Sequence, residues 1–255
     1  MAHVLEVTHI EKYYGNKRNL TKAIDDLSLT VSEGEFVGIM GPSGSGKTTL
    51  LNCISTLDTV TSGHILISGQ DITHLKGGKL AAFRRENLGF IFQDYNLLDT
   101  LTIYENIALA FTIQGIKHSE FDPKIHKIAH LLGIGSCLNK FPYELSGGQN
   151  QRAAAVRAIV TEPSLVLADE PTGALDSKSS RLLLEHMTKM NEELKATIVM
   201  VTHDLVTASY ARRILFIKDG QLFHELVRGD DSRKDFFDRI VEVTTVMGGD
   251  AEHVR

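Results

Sequence analysis

Eight residues constrain this chain more than any others: GPSGSGKT, at 41–48. They match the pattern GxxxxGK[ST] and lie where that pattern must lie, between an apolar run, FVGIM (36–40), and the helical onset TTLLNCI. Glycines let the backbone wrap close enough for successive N–H groups to reach phosphate oxygens, and the N-terminus of the following helix favours negative charge. Lys47 then supplies charge to the β and γ phosphates, and the Thr48 hydroxyl is a ligand for Mg2+. Gly41, Pro42, Ser43, Gly44, Ser45, Gly46, Lys47, Thr48 and Thr49 form the expected nucleotide cradle, with Lys47 also acting in the chemistry.

Three further runs share the character of FVGIM: GFIF (89–92), LVLA (165–168) and IVMV (198–201). Each is rich in β-formers and continuous rather than alternating, which suits strands covered on both faces in a parallel sheet. Helical patterns lie between them; Leu183, Met187, Met190 and Leu194 make one apolar stripe within 182–195. The architecture is α/β, with helices packed on a sheet. VLEVTHI (4–10), LSLTV (27–31) and HILI (64–67) read instead as an antiparallel β portion near the N-terminus. Residues 93–157, rich in helical signals, read as an inserted helical lobe between core segments 1–92 and 158–228. IKDGQLFHEL (217–226) is a hairpin turning at Asp219-Gly220. Residues 229–255 form a C-terminal extension: a short amphipathic helix with Phe236, Phe237 and Ile240 inward, then a loose end.

In open α/β sheets ligands bind beyond the carboxyl ends of the strands, so the polar residues just past each strand are the ones to weigh. Gln93 comes after GFIF, Asp169 and Glu170 after LVLA, and Thr202, His203 and Asp204 after IVMV. A buried strand ending in an acid is how P-loop enzymes hold Asp near Mg2+, which gives Asp169 that role. Glu170 is placed to orient or deprotonate the attacking water, Gln93 to approach metal and water through its amide, and His203 to contact the γ-phosphate. A second anion-binding stretch, LSGGQNQR (145–152), opens a helix far downstream.

The 255 residues, 42% hydrophobic and 23% charged, can bury a substantial core. A formal net charge of −5 offers no global attraction to nucleic acid or anionic lipid, and nucleic acid is not an expected partner. No stretch approaches the run of about 20 apolar residues a membrane span requires, and the start alternates like a strand instead of reading as a signal peptide. A cytosolic protein is expected. The two cysteines, Cys53 and Cys137, lack metal-ligand company. His126 and His130 stand four apart, but Lys127 occupies the place where a zinc protease has Glu, so the pair reads as helix surface.

The P-loop, the strand-end Gln93, LSGGQ, LVLADE, GALD (173–176) and TH (202–203), in this order, resemble the ATP-binding subunit of an ABC transporter along nearly the whole chain. The resemblance implies a P-loop NTPase (RecA-like) core with a mixed sheet, an N-terminal antiparallel β portion and an inserted helical lobe, hydrolysing ATP with Mg2+. It also implies why one chain has two anion-binding stretches: the signature of one copy closes over the nucleotide held by the P-loop of the other. Ser146, Gly147, Gly148 and Gln149 would contact the γ-phosphate of the opposite copy's ATP, with Asp176 in the D-loop across the same interface. Tyr14, in KYYG, would stack on adenine; Tyr13 competes, although the K-x-Y-G spacing favours Tyr14. Gly173, where Ser is more common, and Asn150, at a variable position, are departures expected to touch no chemical group.

GFIFQDYNLLDTLTIYENI (89–107), DEPTGALDSKS (169–179), MVTHD (200–204) with ASYARR (208–213), and a tail with Phe236, Phe237, Gly248 and Gly249 resemble the bacitracin-export type of ATPase. That type sits in a wider group with lipoprotein-releasing and macrolide-export ATPases. The resemblance implies a motor on the cytoplasmic face of the cell membrane, held there by a permease, serving export of or resistance to cell-wall-targeting peptide antibiotics. Tyr95 to Leu101, the apolar-rich stretch following Gln93, is the segment nominated to dock the permease, with burial inside the helical lobe as the competing reading. A GTPase would need NKxD, and Asn139-Lys140 is followed by Phe-Pro. Soluble ABC proteins of the translation type carry two cassettes in one chain, and this chain has one.

Overall fold

The structure, a computed structural model, describes residues 3–16, 19–117, 119 and 121–248. Its contacts divide the chain into one unit of Met1–Leu75 with Val199–Arg255 and a second of Lys76–Ile198. The lobe expected at 93–157 falls inside the second.

In the first unit, β1 (His3–Asn16) and β2 (Asn19–Ser32) form an antiparallel hairpin paired out to Asn16 and Asn19. It is longer than the runs VLEVTHI and LSLTV because its outer end is polar and exposed, where no alternation marks a strand. The alternation is also broken at His9 and Asp26, both with left-handed backbone, φ 46 and 51. After β3 (Phe36–Met40) and α1 (Lys47–Ile54) come β4 (Ser62–Ile67) and β5 (Gln70–Asp71), giving a sheet of order β2-β1-β4-β5. Every residue of β3 is buried, as the unbroken apolar run requires; each such large side chain contributes about 1.5–3 kcal/mol.

The second unit holds α2 (Gly77–Asn87), β6 (Leu88–Ile91), α3 (Ile103–Gln114), α4 (Phe121–Leu131), α5 (Gly147–Ile159), β7 (Leu165–Asp169) and α6 (Ser177–Leu194). The strands β6 and β7 pair in parallel, Leu88 opposite Leu165 through Ile91 opposite Ala168. A capping box between Thr102 and Glu105 starts α3, whose Phe111 stacks on Phe121 of α4 with ring centroids 4.9 Å apart. Helix α5 is buried on nearly all sides; Ala153, Ala154 and Ala155 are fully covered, small side chains that let neighbouring elements approach. On α6, Leu183, Met187 and Met190 face inward as expected, and Leu194 is half-buried.

The chain then forms β8 (Ile198–Val201), the short α7 (Leu205–Ala208), β9 (Arg213–Lys218), β10 (Gln221–Val227) and α8 (Arg233–Gly248). In the first unit β3 and β9 run parallel while β9 and β10 are antiparallel, so the sheet is mixed. Asp219 and Gly220, at φ 51 and 80, make the expected tight turn. Phe236 and Ile240 of α8 are fully buried and Phe237 half-buried. The expected loose end, with Gly249, lies outside the described residues. No described helix is long and apolar enough to cross a membrane.

Candidate nucleotide site

The P-loop is shaped by its surroundings as much as by its own glycines. A Cβ on Gly41 would lie 2.1 Å from the Ile217 carbonyl oxygen, and one on Gly46, at φ 101, 2.5 Å from that of Ala23. The β9–β10 turn braces the loop: Gly220 N–H donates to the Ser45 carbonyl at 3.0 Å, and the Gly220 carbonyl accepts from Asp25 N–H at 2.9 Å. Lys47, buried, donates from Nζ to the carbonyls of Gly41 (2.8 Å) and Pro42 (2.7 Å), which fixes its charge over the loop. Ser45 Oγ is buried and finds no hydrogen-bond partner among the described residues. Helix α1 begins with no side-chain cap and no acidic residue in its first turn, leaving its N–H groups for an anion. A lysine, an orphaned hydroxyl and an uncapped helix start fit a polyphosphate. Pro42, Ser43, Gly44 and Thr48 are exposed, and Thr49 is half-buried.

Beside α1 stands Tyr14, 41% exposed. Its hydroxyl donates to Asp58 Oδ2 at 2.7 Å and is hydrogen-bonded to Thr49 in the first turn of α1. Burial, then Asp58, pushes the Tyr14 hydroxyl above its ordinary value, so it stays protonated and a donor. Lys12 Nζ, buried, reaches Asp58 Oδ1 and the Thr59 carbonyl, both at 2.6 Å, and lies 4.8 Å from the centre of the Tyr14 ring. Burial pushes the Asp58 carboxyl up, but the bonds from Lys12 and Tyr14 together hold it below the usual carboxylate range. Tyr13 is engaged elsewhere, its hydroxyl on Glu11 at 3.4 Å and its ring 5.4 Å from Lys22 Nζ. Nearby Cys53 is buried, and burial pushes its thiol up to about 12, which favours the thiol over the thiolate.

At the end of β8, Thr202 is fully buried and its N–H donates to the Ile39 carbonyl at 3.1 Å. His203, next along, is exposed, and Asp204 caps α7 through the Thr207 N–H at 2.6 Å. The structure thus gives Asp204 a capping role and leaves the imidazole of His203 at the surface.

In the second unit the structure brings Gln93, Asp169, Glu170 and the signature helix onto connected backbone. Asp169 ends β7, and Glu170 sits in left-handed backbone, φ 44, a conformation that costs about 1–3 kcal/mol for a residue with a side chain. The Gly173 N–H closes the turn on the Glu170 carbonyl at 3.0 Å. The carboxamide of Gln93 lies over Gly173, where a Cβ would come within 2.9 Å of Gln93 Cδ. So Gly173, expected to touch no chemical group, leaves room for the amide of Gln93. Asn150, given the same expectation, donates to the Pro142 carbonyl at 3.0 Å.

Ser146 and Gln149 form a capping box at the start of α5: Gln149 N–H donates to Ser146 Oγ (3.3 Å), and Ser146 N–H to Gln149 Oε1 (2.9 Å). Gly147 and Gly148 are hemmed in, since a Cβ would lie 2.5 Å from the Tyr95 hydroxyl or 2.8 Å from Ser179. Asp176 caps its own helix, accepting from Lys178 N–H (3.0 Å), Ser179 N–H (2.9 Å) and Ser179 Oγ (2.8 Å). Those bonds, Ser179 foremost, hold its carboxyl below the ordinary range.

Residues that sequence reasoning missed do much of the holding. Gln151, fully buried on α5, donates to the Phe92 and Pro171 carbonyls at 2.8 Å each. Arg157 donates to the carbonyls of Tyr95 and Asn96. Asn106, fully buried on α3, donates to the carbonyls of Leu98, Leu101 and Thr102 and accepts from Leu98 N–H. Gln151 falls within LSGGQNQR, where the motif does not say what it holds, and the signal for Asn106 and Arg157 is a polar residue within a largely covered helix. The segment they hold borders a surface depression of about 310 Å³ lined by Tyr95, Asn96, Leu97, Pro142, Tyr143 and Asn150.

A parallel strand pair, a P-loop between strand and helix, and acids at a strand end define an α/β nucleotide-hydrolysing domain. The family model described as ABC transporter matches residues 24–173. The bacitracin export ATP-binding protein BceA of Halalkalibacterium halodurans is 53% identical over 246 residues, 96% of this chain and 97% of that one. The macrolide export ATP-binding/permease protein MacB of Hyphomonas neptunium is 42% identical over 222 residues, covering 87% of this chain and 34% of that longer protein. Among solved structures, the dimeric ABC transporter cassette MJ0796 superposes with a TM-score of 0.78 at 37% identity, covering 88% of this chain and 98% of that one. The same cassette is also known in a dimeric post-hydrolysis state bound to ADP and Pi, at 36% identity.

The chain belongs to the ABC transporter family. It is an ATP-binding subunit and an ATPase, with the fold of a solved ABC cassette.

Proposed function

We propose that two copies of this chain close around two ATP molecules and drive a membrane permease that acts on peptide antibiotics targeting the cell wall. The observation carrying the cargo assignment is the end-to-end match to the bacitracin export ATP-binding protein, closer and more complete than the match to the macrolide exporter. Head-to-tail pairing draws support from the solved dimeric cassette and from the two anion-binding stretches in one chain. In a two-fold dimer each patch is used twice, so both sites form together.

The roles rest on motif and local geometry. Tyr14 stacks on adenine, and Gly41 to Thr49 hold the phosphates. By the family motifs, Thr48, Gln93 and Asp169 would be the residues to hold Mg2+, each with the oxygen donor such an ion prefers, and a bound ion would supply charge to offset that of the phosphates. Glu170 takes a proton from the attacking water and His203 touches the γ-phosphate. Ser146, Gly147, Gly148, Gln149 and Asp176 reach the nucleotide of the opposite copy. The chain works at the cytoplasmic face of the membrane, docked to the permease through the depression around Tyr95 to Leu97, where Leu98 also stands 51% exposed.

Two measurements test this. Glu170→Gln should bind ATP, hydrolyse it at least about a hundredfold more slowly and elute as a dimer with ATP; a monomer at saturating ATP rules out the sandwich. Cells carrying the chain with its permease should resist bacitracin-type peptides and lose resistance with Lys47→Ala. Unchanged sensitivity to such peptides, beside protection against macrolides, would transfer the assignment to the macrolide-export reading.

A further inference from the structure

We infer that Gln151 is a positioning residue for hydrolysis, holding the two backbone segments that carry Gln93 and Glu170 in one fixed arrangement. The inference rests on the reading of Glu170 as the base. A glutamine carboxamide has two N–H donors, and both of Gln151's are used: on the carbonyl of Phe92, in the peptide unit that leads into Gln93, and on that of Pro171, the residue after Glu170. The side chain has no exposure, and its Oε1 finds no partner among the described residues. The carboxamide is therefore oriented by its donors alone; turned over, it would set its oxygen against two carbonyl oxygens.

The two carbonyls belong to strand ends far apart in sequence. Between them, the Gln93 amide lies over Gly173, and the Gly173 N–H closes the turn on the Glu170 carbonyl. Glu170 itself is held in left-handed backbone, which persists only where neighbours over-determine it. Gln151 supplies that determination from α5, the helix that Ser146 begins, and Arg157 of the same helix holds the carbonyls of Tyr95 and Asn96. A shift of α5 would move the water-orienting side chains together, as a unit.

Gln151→Met keeps the length and removes both donors. Two quantities are read on the full chain: kcat for ATP hydrolysis, and Kd for ATP by competition with a fluorescent nucleotide. The expected result is a fall in kcat of about ten- to a hundredfold, the usual effect of displacing a reacting group by about an ångström, with Kd for ATP changed less than about twofold. In a Glu170→Gln background the same replacement should lower the residual rate by less than about twofold, because the geometry lost is geometry that Glu170 needed. A purely structural role would subtract equally in both backgrounds. Parental kcat in Gln151→Met, a parallel loss of ATP affinity, or an undiminished further loss in the Glu170→Gln background overturns the inference. Should Gln151→Met fail to fold, Gln151→Asn, which withdraws the same carboxamide by one methylene, gives the same readings. A Glu170→Gln chain hydrolysing at the parental rate overturns the role of Glu170 and the inference with it; a dead Glu170→Gln beside a fully active Gln151→Met overturns the inference alone.

Discussion

The hydroxyl of Tyr14 donates to Asp58 Oδ2 at 2.7 Å, and the same carboxylate accepts from Lys12 Nζ through its other oxygen at 2.6 Å. A buried lysine, a carboxylate held ionised and a half-exposed aromatic ring thus form one chain of bonds ending beside α1. A free tyrosine would sample several rotamers, and fixing one in advance would lower the entropy lost in the base stacking proposed for Tyr14.

Asp58→Asn should therefore weaken ATP binding about three- to tenfold, the weight of one net hydrogen bond, and leave tripolyphosphate binding unchanged. Isothermal titration with both ligands checks this. Equal losses for the two would mean that the P-loop, and not the base platform, had been disturbed.

Gly44 and Gly46 both have positive φ, at 78 and 101, yet they differ in surroundings: the Cα of Gly44 faces open space, and that of Gly46 faces the Ala23 carbonyl. Gly44→Ala should cost about 1 kcal/mol from backbone strain alone. Gly46→Ala adds a backbone clash, and should cost about 3 kcal/mol or more with loss of ATP binding. Urea unfolding of the two variants gives the difference directly.

The Tyr95 hydroxyl fills the space a Cβ on Gly147 would need, so Gly147→Ala should destabilise the chain by about 1–3 kcal/mol. In a Tyr95→Phe background the same substitution should cost less than about 1 kcal/mol, because the obstructing atom is gone. A double-mutant cycle in urea reads the coupling; equal costs in both backgrounds would place the strain elsewhere.

His186 of α6 is buried, with Nδ1 2.8 Å from the Leu182 carbonyl oxygen. Burial, aided by Arg152 and Lys189 and opposed by the Leu182 bond and Glu185, holds its imidazole below the ordinary value. The unfolded chain therefore binds this proton more readily, so the stability it contributes is complete above about pH 6.5 and lost as pH falls below that through the folded value. The urea midpoint should drop between about pH 7.5 and 5.5, with a smaller drop in His186→Leu. An identical pH profile in the variant would assign the effect to other groups.

The four core strands were legible because each is an unbroken apolar run covered on both faces, and β3, β7 and β8 fall within a residue of FVGIM, LVLA and IVMV. The N-terminal hairpin was only half legible: at KYYGN and NLTKA its residues are mostly exposed, and bulges at His9 and Asp26 disrupt the alternation. The site divides the same way. Its P-loop is a local pattern, whereas Lys12 meets Asp58 from 46 positions away and Gln151 meets Phe92 from 59. No periodicity marks such a pair.

What the sequence determined by itself was the P-loop pattern and where the core strands end, since both depend on residue type and near neighbours along the chain. What only the tertiary structure decided was how those groups are held: that Tyr14 and not Tyr13 stands beside α1, that Gly173 makes room for Gln93, and that α5 grips the backbone around Glu170 through Gln151. The reason is physical. Holding depends on buried donors meeting particular carbonyls across the fold, and a hydrogen bond only about 3 Å long is set by the packing that brings its ends together.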